Sequence, residues 1–114
     1  VTMEDYNPAN QQLGTDGYTF ATEFKLSAIN YPNPFNPTTT ISYLVPEAGN
    51  VSVKIFDMLG HEIKTLAVGY HSSGTHHVSW NATNTSGKPV SGGMYFYVIQ
   101  SGITTVKEKL IFLK

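Results

Sequence analysis

Residues 94–113 read MYFYVIQSGITTVKEKLIFL, a pattern that indicates the architecture of the chain. Residues 94–100 are mostly aromatic or β-branched, which favours an extended strand. Ser101 and Gly102 predict a tight two-residue turn, and residues 103–113 predict a second strand that folds back on the first. A hairpin of this length, without helical periodicity, indicates an antiparallel β structure.

The rest of the chain repeats this alternation in shorter pieces. Ile41, Tyr43 and Val45 fall on one face of a strand, and Trp80 shares a face with Val78. Turn-forming residues separate the strands every eight to twelve positions or so, a spacing typical of sandwiches. The chain therefore predicts an all-β, immunoglobulin-like antiparallel β-sandwich of about seven strands. The predicted strands are 25–30, 38–45, 51–57, 61–68, 75–80, 94–100 and 103–113.

Composition limits the classes of function. The 114 residues suffice for one domain, with seven Lys and Arg residues against eight Asp and Glu residues and a net charge of −1. A clustered basic footprint for nucleic acid is absent from the sequence, so we predict no nucleic-acid partner. With no cysteine, a disulfide framework and a cysteine nucleophile are excluded. The longest apolar runs, 94–99 and 110–113, are far shorter than the roughly 20 residues of a spanning helix.

The chain divides into two parts. Residues 1–24 are rich in turn dipeptides and polar residues, and they predict a linker or the end of a preceding domain. Residues 25–114 predict the sandwich. Within it, residues 31–37 hold three prolines, which exclude both a helix and a central strand there.

Catalytic and metal-binding patterns are missing. No Gly-x-Ser-x-Gly motif occurs, and His76 and His77 are neighbours on a strand, so their rings face opposite ways. Asp57 and Glu62 flank a predicted turn and are interpreted as capping or ion-pairing acids. We therefore predict no enzyme, no catalytic residue, no metal, no cofactor and no small-molecule substrate. One weak alternative is a calcium site that combines Asp16 with Asn7 or Asn10.

Aromatic residues leave two interpretations open. Trp80, Tyr95 and Tyr97 predict core positions, with the tyrosines placed like those of a tyrosine corner. Exposed aromatic rings would instead suit a carbohydrate-binding surface. The rings expected to be exposed are those of Tyr6, Tyr18, Phe20 and Tyr70.

Four strings in order along the chain resemble one family. Residues 31–43 (YPNPFNPTTTISY) resemble the opening motif of the type A C-terminal sorting domains of the type IX secretion system. Residues 53–63 (VKIFDMLGHEI) resemble the middle motif. Residues 74–80 followed by 91–97 (SGGMYFY) resemble the third block, and residues 107–114 (KEKLIFLK) resemble the final strand. That family is similar to the immunoglobulin-like domain of flagellar hook-assembly scaffold proteins. One departure is His61, which stands where the family usually has a basic residue after the Leu-Gly turn.

This resemblance implies a non-catalytic signal that ends a larger secreted protein. The implied partners are the outer-membrane translocon, its sorting and processing machinery, and a covalently linked upstream cargo domain. The implied location is the periplasm in transit, then the medium or the cell surface.

Two groups of residues are expected to carry the function. The hypothesis is that the proline-rich segment and the last strand form the recognised surface together. In the alternative interpretation, the prolines only close the sandwich and the lysines only solubilise it. The recognition residues are Pro32, Asn33, Pro34, Phe35, Lys107, Lys109 and Lys114. The structural motif residues are Gly60, Trp80, Gly93, Tyr95 and Tyr97.

Two rival functions remain at this point. One is a carbohydrate-binding or spacer module of a secreted multidomain hydrolase. The other is a structural domain like those of hook scaffolds, which would be followed by further domains.

Overall fold

The computed structural model describes residues 25–114, and the regular elements in that range are all strands. They form a three-stranded sheet in the order β1-β2-β5 and a four-stranded sheet in the order β4-β3-β6-β7, with every pair antiparallel. This arrangement confirms the predicted immunoglobulin-like sandwich. The strands are β1 (Ser27–Tyr31), β2 (Thr39–Val45), β3 (Gly49–Asp57), β4 (Glu62–His71), β5 (Gly74–Trp80), β6 (Gly93–Ser101) and β7 (Thr104–Phe112).

Alternation along the strands builds the core. Every second residue of β2 from Thr39 to Val45 is buried, as is every second residue of β3 from Val51 to Ile55. Because successive side chains of a strand point to opposite faces, each sheet has one apolar face, and the two faces pack together. The buried apolar residues are Leu26, Phe35, Ile41, Tyr43, Val45, Val51, Val53, Ile55, Trp80, Ala82, Tyr95, Tyr97, Ile99, Leu110 and Phe112.

The strand directions give the sandwich two distinct ends. The end called here the proline end holds residues 31–37, the β3–β4 turn, the long β5–β6 connection and residues 113–114. The opposite end, called the hairpin end, holds the β2–β3, β4–β5 and β6–β7 turns. The described chain also enters β1 at the hairpin end, because Ser27 pairs with Leu44 near the end of β2.

Several predicted boundaries are wrong: β1 begins at Ser27 instead of residue 25, β3 begins at Gly49 instead of residue 51, and two connections are misplaced. The loop predicted at residues 69–74 is a strand as far as His71, because residues 69–71 pair with the first residues of β3. Gly69 has a φ of +133° there, a backbone conformation that favours glycine. The β6–β7 turn is Gly102-Ile103 instead of Ser101-Gly102, because Ser101 still pairs with Thr104. The φ of +61° at Gly102 suits the first central position of a type II′ turn.

Some predictions lie outside the described residues. They are the linker at 1–24, the candidate calcium ligands Asn7, Asn10 and Asp16, and the exposure of Tyr6, Tyr18 and Phe20. Within residues 25–114, no helix could span a bilayer.

Candidate functional site

The proline-rich segment, residues 31–37, passes from one sheet to the other. It leaves the three-stranded sheet where β1 ends at Tyr31 and reaches the edge of the four-stranded sheet at Phe35. There Phe35 forms a parallel bridge with Phe112. The Phe35 N–H donates to the carbonyl of Ile111 and the Leu113 N–H donates to the carbonyl of Phe35, both at 2.9 Å. The segment is thus hydrogen-bonded to the final strand.

Asn33 continues this pairing with its side chain. Its Oδ1 accepts the N–H of Ile111 at 3.0 Å, and its Nδ2 donates to the carbonyl of Lys109 at 3.4 Å. The same Nδ2 lies 3.5 Å from Oδ1 of Asn30 on β1. The carboxamide supplies one donor and one acceptor to the edge of β7, as a strand residue would, although a proline follows it in the chain.

Phe35 fixes the segment from inside. Its ring is 2% exposed, stacks on Phe112 with a centroid distance of 5.2 Å, and lies 5.6 Å from the ring of Trp80. Trp80 in turn meets Tyr95 edge-on at 5.2 Å. Such pairs add stability beyond the apolar area they bury. Phe35 is thus a core residue, so any part it takes in recognition is to hold its neighbours in place.

Thr39 is a residue that the sequence analysis missed. It is fully buried, its Oγ1 donates to the carbonyl of Pro32 at 2.8 Å, and the same oxygen accepts from Nδ2 of Asn30 at 3.2 Å. These bonds close the loop between β1 and β2. The run of three threonines from Thr38 to Thr40 gives no sign of which hydroxyl turns inward. Strand alternation with Ile41 is the one signal that could have found it.

The predicted lysines lie along and beyond β7. Lys107 and Lys109 are exposed on the same face of the strand, and neither forms an ion pair with another of residues 25–114. The Nζ of Lys107 stands 4.7 Å from the centroid of the Phe96 ring. Lys114 lies against Gly92. A Cβ added to Gly92 would lie 3.0 Å from the Cβ of Lys114. The structure therefore brings the proline-rich segment to Lys109, whereas Lys107 lies nearer the middle of the strand.

Exposed apolar side chains surround the proline end, and the sequence analysis did not single them out. The ring of Tyr31 is 79% exposed and the side chain of Leu113 is 56% exposed. Met58 and Leu59 are also exposed, on the β3–β4 turn. The hairpin end has exposed apolar residues of its own, Tyr70 and Ile103. The exposure predicted for Tyr70 is thus confirmed.

The β3–β4 turn is held by the carboxylate of Asp57. Its Oδ1 accepts the N–H groups of Leu59 and His61, each at 2.9 Å. Gly60 has a φ of +88°, which explains the glycine. Hydrogen bonding from the His61 N–H lowers the pKa of Asp57, and the N–H of Leu59 and the nearby His61 ring lower it further. The capping role predicted for Asp57 is confirmed.

Two tyrosines of β6 point into the core, as predicted, with different outcomes for their hydroxyl groups. The hydroxyl of Tyr95 donates to the carbonyl of Ser91 at 2.6 Å, the upstream bond of a tyrosine corner. The hydroxyl of Tyr97 has no hydrogen-bond partner among residues 25–114. Burial, together with the negative charge of Glu108, raises the pKa of Tyr97 to about 12. Gly93, at the start of β6, has a φ of +147°.

His71 of β4 and His76 of β5 form a small aromatic cluster with Tyr43 near the hairpin end. His71 Nε2 lies 2.7 Å from the hydroxyl of Tyr43, and the rings of His71 and His76 are 4.7 Å apart. His77 faces the other side of β5, where its Nδ1 lies 2.8 Å from the hydroxyl of Ser42. The predicted opposite orientation of His76 and His77 is confirmed. Residues 25–114 hold no group of three or more potential metal ligands.

A cavity of about 540 Å³ lies on the outer side of the four-stranded sheet near the hairpin end. It offers hydroxyl and amide groups, but none of its lining side chains is acidic, basic or a histidine, so it lacks a general acid or base. The lining residues are Asn50, Val51, Ser52, Val68, Gly69, Gln100 and Gly102.

Solved structures share this fold. Latent PorU from Porphyromonas gingivalis superposes with a TM-score of 0.63 at 22% identity over 77% of this chain. PorZ of the same organism, described as an essential bacterial surface component of the type IX secretion system, gives a TM-score of 0.55 at 25% identity over 76% of this chain. This chain spans only 9% of PorU and 11% of PorZ.

Flagellar proteins show the same likeness. FlgD from P. aeruginosa gives a TM-score of 0.54 at 23% identity, covering 65% of this chain and 60% of FlgD. FlgD from Xanthomonas campestris, a hook-capping protein essential for flagellar assembly, gives 0.52 at 22% identity, covering 74% of this chain and 60% of that one. No curated protein sequence matches the chain.

The family comparison covers most of the sandwich. The model of the FlgD Ig-like domain matches residues 36–104, more than half of the 114 residues. The matched range runs from the proline-rich segment to the first residue of β7. With the two sheets and their strand order, this match shows that the chain belongs to the FlgD Ig-like domain family.

Proposed function

We propose that this chain is a non-catalytic C-terminal signal domain that directs a larger secreted protein across the outer membrane through the type IX secretion system. The four family-like strings support this function, and so does a fold shared with PorZ, a component of that system. The observation that carries the proposal is the joining of residues 31–37 to β7 through Asn33 and Phe35. The first and last of the family-like strings thereby form one continuous surface.

The recognised surface is the proline end and the adjoining edge of β7. Pro32, Asn33 and Pro34 are exposed there, next to the exposed Tyr31 and Leu113. Prolines fix φ, and the bonds from Asn33 fix the segment on β7, so little conformational entropy is lost when a partner docks. Lys109 and Lys114 add positive charge to this surface. Tyr31, which is 79% exposed, adds an aromatic ring to this surface.

The position of the chain entrance agrees with such a role. The described chain enters β1 at the hairpin end, which leaves the proline end away from this entrance. In the proposal, the outer-membrane translocon and its processing machinery recognise the domain at the proline end. The proposal places the domain in the periplasm during transit, and then in the medium or on the cell surface.

A reporter fusion tests this function. A periplasm-targeted fluorescent reporter carries residues 1–114 at its C-terminus, in a bacterium with an active type IX system and in an isogenic strain without the translocon. We expect the reporter outside the first strain and retained in the periplasm of the second. Retention in both strains, or export from both, would contradict the proposal. A reporter without the domain is the control for leakage.

A structural spacer or scaffold domain is the second candidate, and the match to the FlgD Ig-like domain favours it. A scaffold domain functions within the assembled protein, so moving it to an unrelated reporter produces no export. A carbohydrate-binding module is the third candidate: Trp80 is fully buried and cannot stack on a sugar, and of the four rings named for that function Tyr70 is the one that lies within residues 25–114, where it is exposed. Retention of the chain on an insoluble polysaccharide would support that function.

A further inference from the structure

The free edge of β7 is closed over only part of its length. β7 is the last strand of its sheet and pairs with β6 on one side. Since the N–H and C=O groups of Ile111 bond to Asn33 and Phe35 on the other side, the same groups of residues 105, 107 and 109 point that way too. Near the proline end, Asn33 and Phe35 occupy the Lys109 carbonyl, both groups of Ile111 and the Leu113 N–H.

The rest of the outer edge of β7 is an exposed row of backbone N–H and C=O groups. Among residues 25–114, none bonds the outward N–H and C=O groups of Thr105 and Lys107 or the outward N–H of Lys109. We call these groups the open edge. An open edge is a template for another strand, and edge lysines ordinarily discourage such pairing.

The charge of the open edge is one-sided. Lys107 and Lys109 both project from the outer face, and neither has an acidic partner within residues 25–114. The strand's own acid, Glu108, lies on the other face, where its charge acts on Tyr97. The Lys107 ammonium stands over the Phe96 ring of β6, and neither lysine has a carboxylate partner in the part of the chain that the structure describes. A strand added here places alternate side chains beside Lys107 and Lys109, where carboxylates are favoured.

We propose that the open edge binds an extended acidic segment of a protein partner by strand addition, with carboxylates at alternate positions beside Lys107 and Lys109. The inference rests on the proposed function, in which that partner belongs to the secretion machinery. Main-chain bonds supply the affinity and the two lysines select for acidic sequences. The added strand continues the row of hydrogen bonds that Asn33 and Phe35 make to β7. The partner therefore contacts the open edge and the proline-rich segment together.

Backbone amide exchange in the full chain tests the proposal. The probe is a short synthetic peptide that alternates glutamate and valine, and the control is a peptide that alternates lysine and valine. We expect the amides of Thr105, Lys107 and Lys109 to exchange quickly in the free chain and at least about tenfold more slowly with the acidic peptide. Equal slowing by the lysine peptide would overturn the proposal. Slow exchange before any peptide is added would also overturn it, because the edge would then be covered by the chain itself.

Two variants separate strand addition from general charge attraction. Thr105→Pro removes an outward N–H and leaves the β6–β7 ladder intact, so it should abolish the slowing at Lys107. Lys107→Ala with Lys109→Ala should weaken the peptide effect at least about tenfold, whereas Lys88→Ala, an exposed lysine of the β5–β6 connection, should not. Unchanged binding by the proline variant would contradict strand addition.

The outcomes for the edge and for the sorting function are distinguishable. Reporter export without any peptide effect would leave the sorting function standing and remove the open edge from it. A peptide effect without reporter export would confirm the edge as a binding site and refute the sorting function.

Discussion

The side chain of Asn33 is hydrogen-bonded to the main chain of Ile111, 78 positions later in the sequence, with Oδ1 accepting the N–H at 3.0 Å. Its Nδ2 reaches the carbonyl of Lys109. One carboxamide thus ties a segment with three prolines to the edge of the final strand. This contact joins an early segment and the final strand into the surface on which the proposed function rests.

Loss of that carboxamide should weaken the fold moderately. Asn33→Ala removes both bonds to β7, and we expect the free energy of unfolding to fall by about 1 kcal/mol, because the site is exposed and water replaces part of the bonding. Urea denaturation measures the change. The matched control is Asn36→Ala, whose side chain is exposed in the same segment. An equal loss in both variants would show that the contact with Ile111 contributes nothing specific.

Two tyrosines of β6 should respond in opposite ways to the loss of a hydroxyl. Tyr97→Phe removes a buried hydroxyl without a partner in residues 25–114, so we expect stability to stay level or rise by up to about 1 kcal/mol. Tyr95→Phe removes the bond to Ser91 and should cost about 1 kcal/mol. Thermal unfolding of the two variants gives the comparison. A clear drop in Tm for Tyr97→Phe would mean that its hydroxyl is hydrogen-bonded after all.

The loss of stability at alkaline pH should depend on Tyr97. Burial raises its pKa from 10.0 to about 12, so the native state holds the proton more tightly than the unfolded chain does. The free energy of unfolding is therefore unaffected by this group below pH 10 and falls as the pH rises toward 12, by up to about 2 kcal/mol. The free energy of unfolding should change less across this pH range in Tyr97→Phe than in the wild type. Identical pH dependence in both proteins would contradict the assignment.

The loss of stability at acid pH should depend on Asp57. Its pKa lies below the ordinary 3.8, chiefly because the His61 N–H donates to the carboxylate. The contribution to stability is thus present above the ordinary pKa and is lost as the pH falls below it. Asp57→Asn should fold at neutral pH and lose part of this acid dependence, as measured by urea denaturation between about pH 3 and pH 7.

The turn that begins at Asn84 explains why Asp57→Asn should fold. The Oδ1 of Asn84 accepts the N–H groups of Ser86 and Lys88 at 3.0 Å, and Gly87 has a φ of +82°. This is the same turn that Asp57 builds, made with a carboxamide. Asp57→Ala lacks the acceptor and should be less stable than Asp57→Asn at neutral pH. The opposite order would show that the charge of Asp57, and not its hydrogen bonds, holds the turn.

The sandwich was predictable from the sequence because two-residue alternation reports burial directly. Ile41, Tyr43, Trp80 and Tyr97 all lie where their patterns placed them. The extension of β4 to His71 was not predictable, since a strand that includes Gly69 has no local signal and depends on pairing with β3.

Only part of the candidate site was predictable from the sequence. Three prolines indicated a rigid segment, and the motif order suggested that it acts with the last strand. The bonds from Asn33 and the inward turn of Thr39 arise from contacts between distant parts of the chain. The exposure of Tyr31 depends on β1 lying at a sheet edge, which composition does not reveal.

The central claim is that the proline end of this domain is read as a secretion signal. The most direct test compares export of the reporter fusion carrying Tyr31→Ser with that carrying Tyr70→Ser. The two tyrosines are 79% and 73% exposed, on the proline end and near the hairpin end respectively. With equal Tm for both variants, we predict that export falls for Tyr31→Ser and stays at the wild-type level for Tyr70→Ser. Equal export of both variants would contradict the claim.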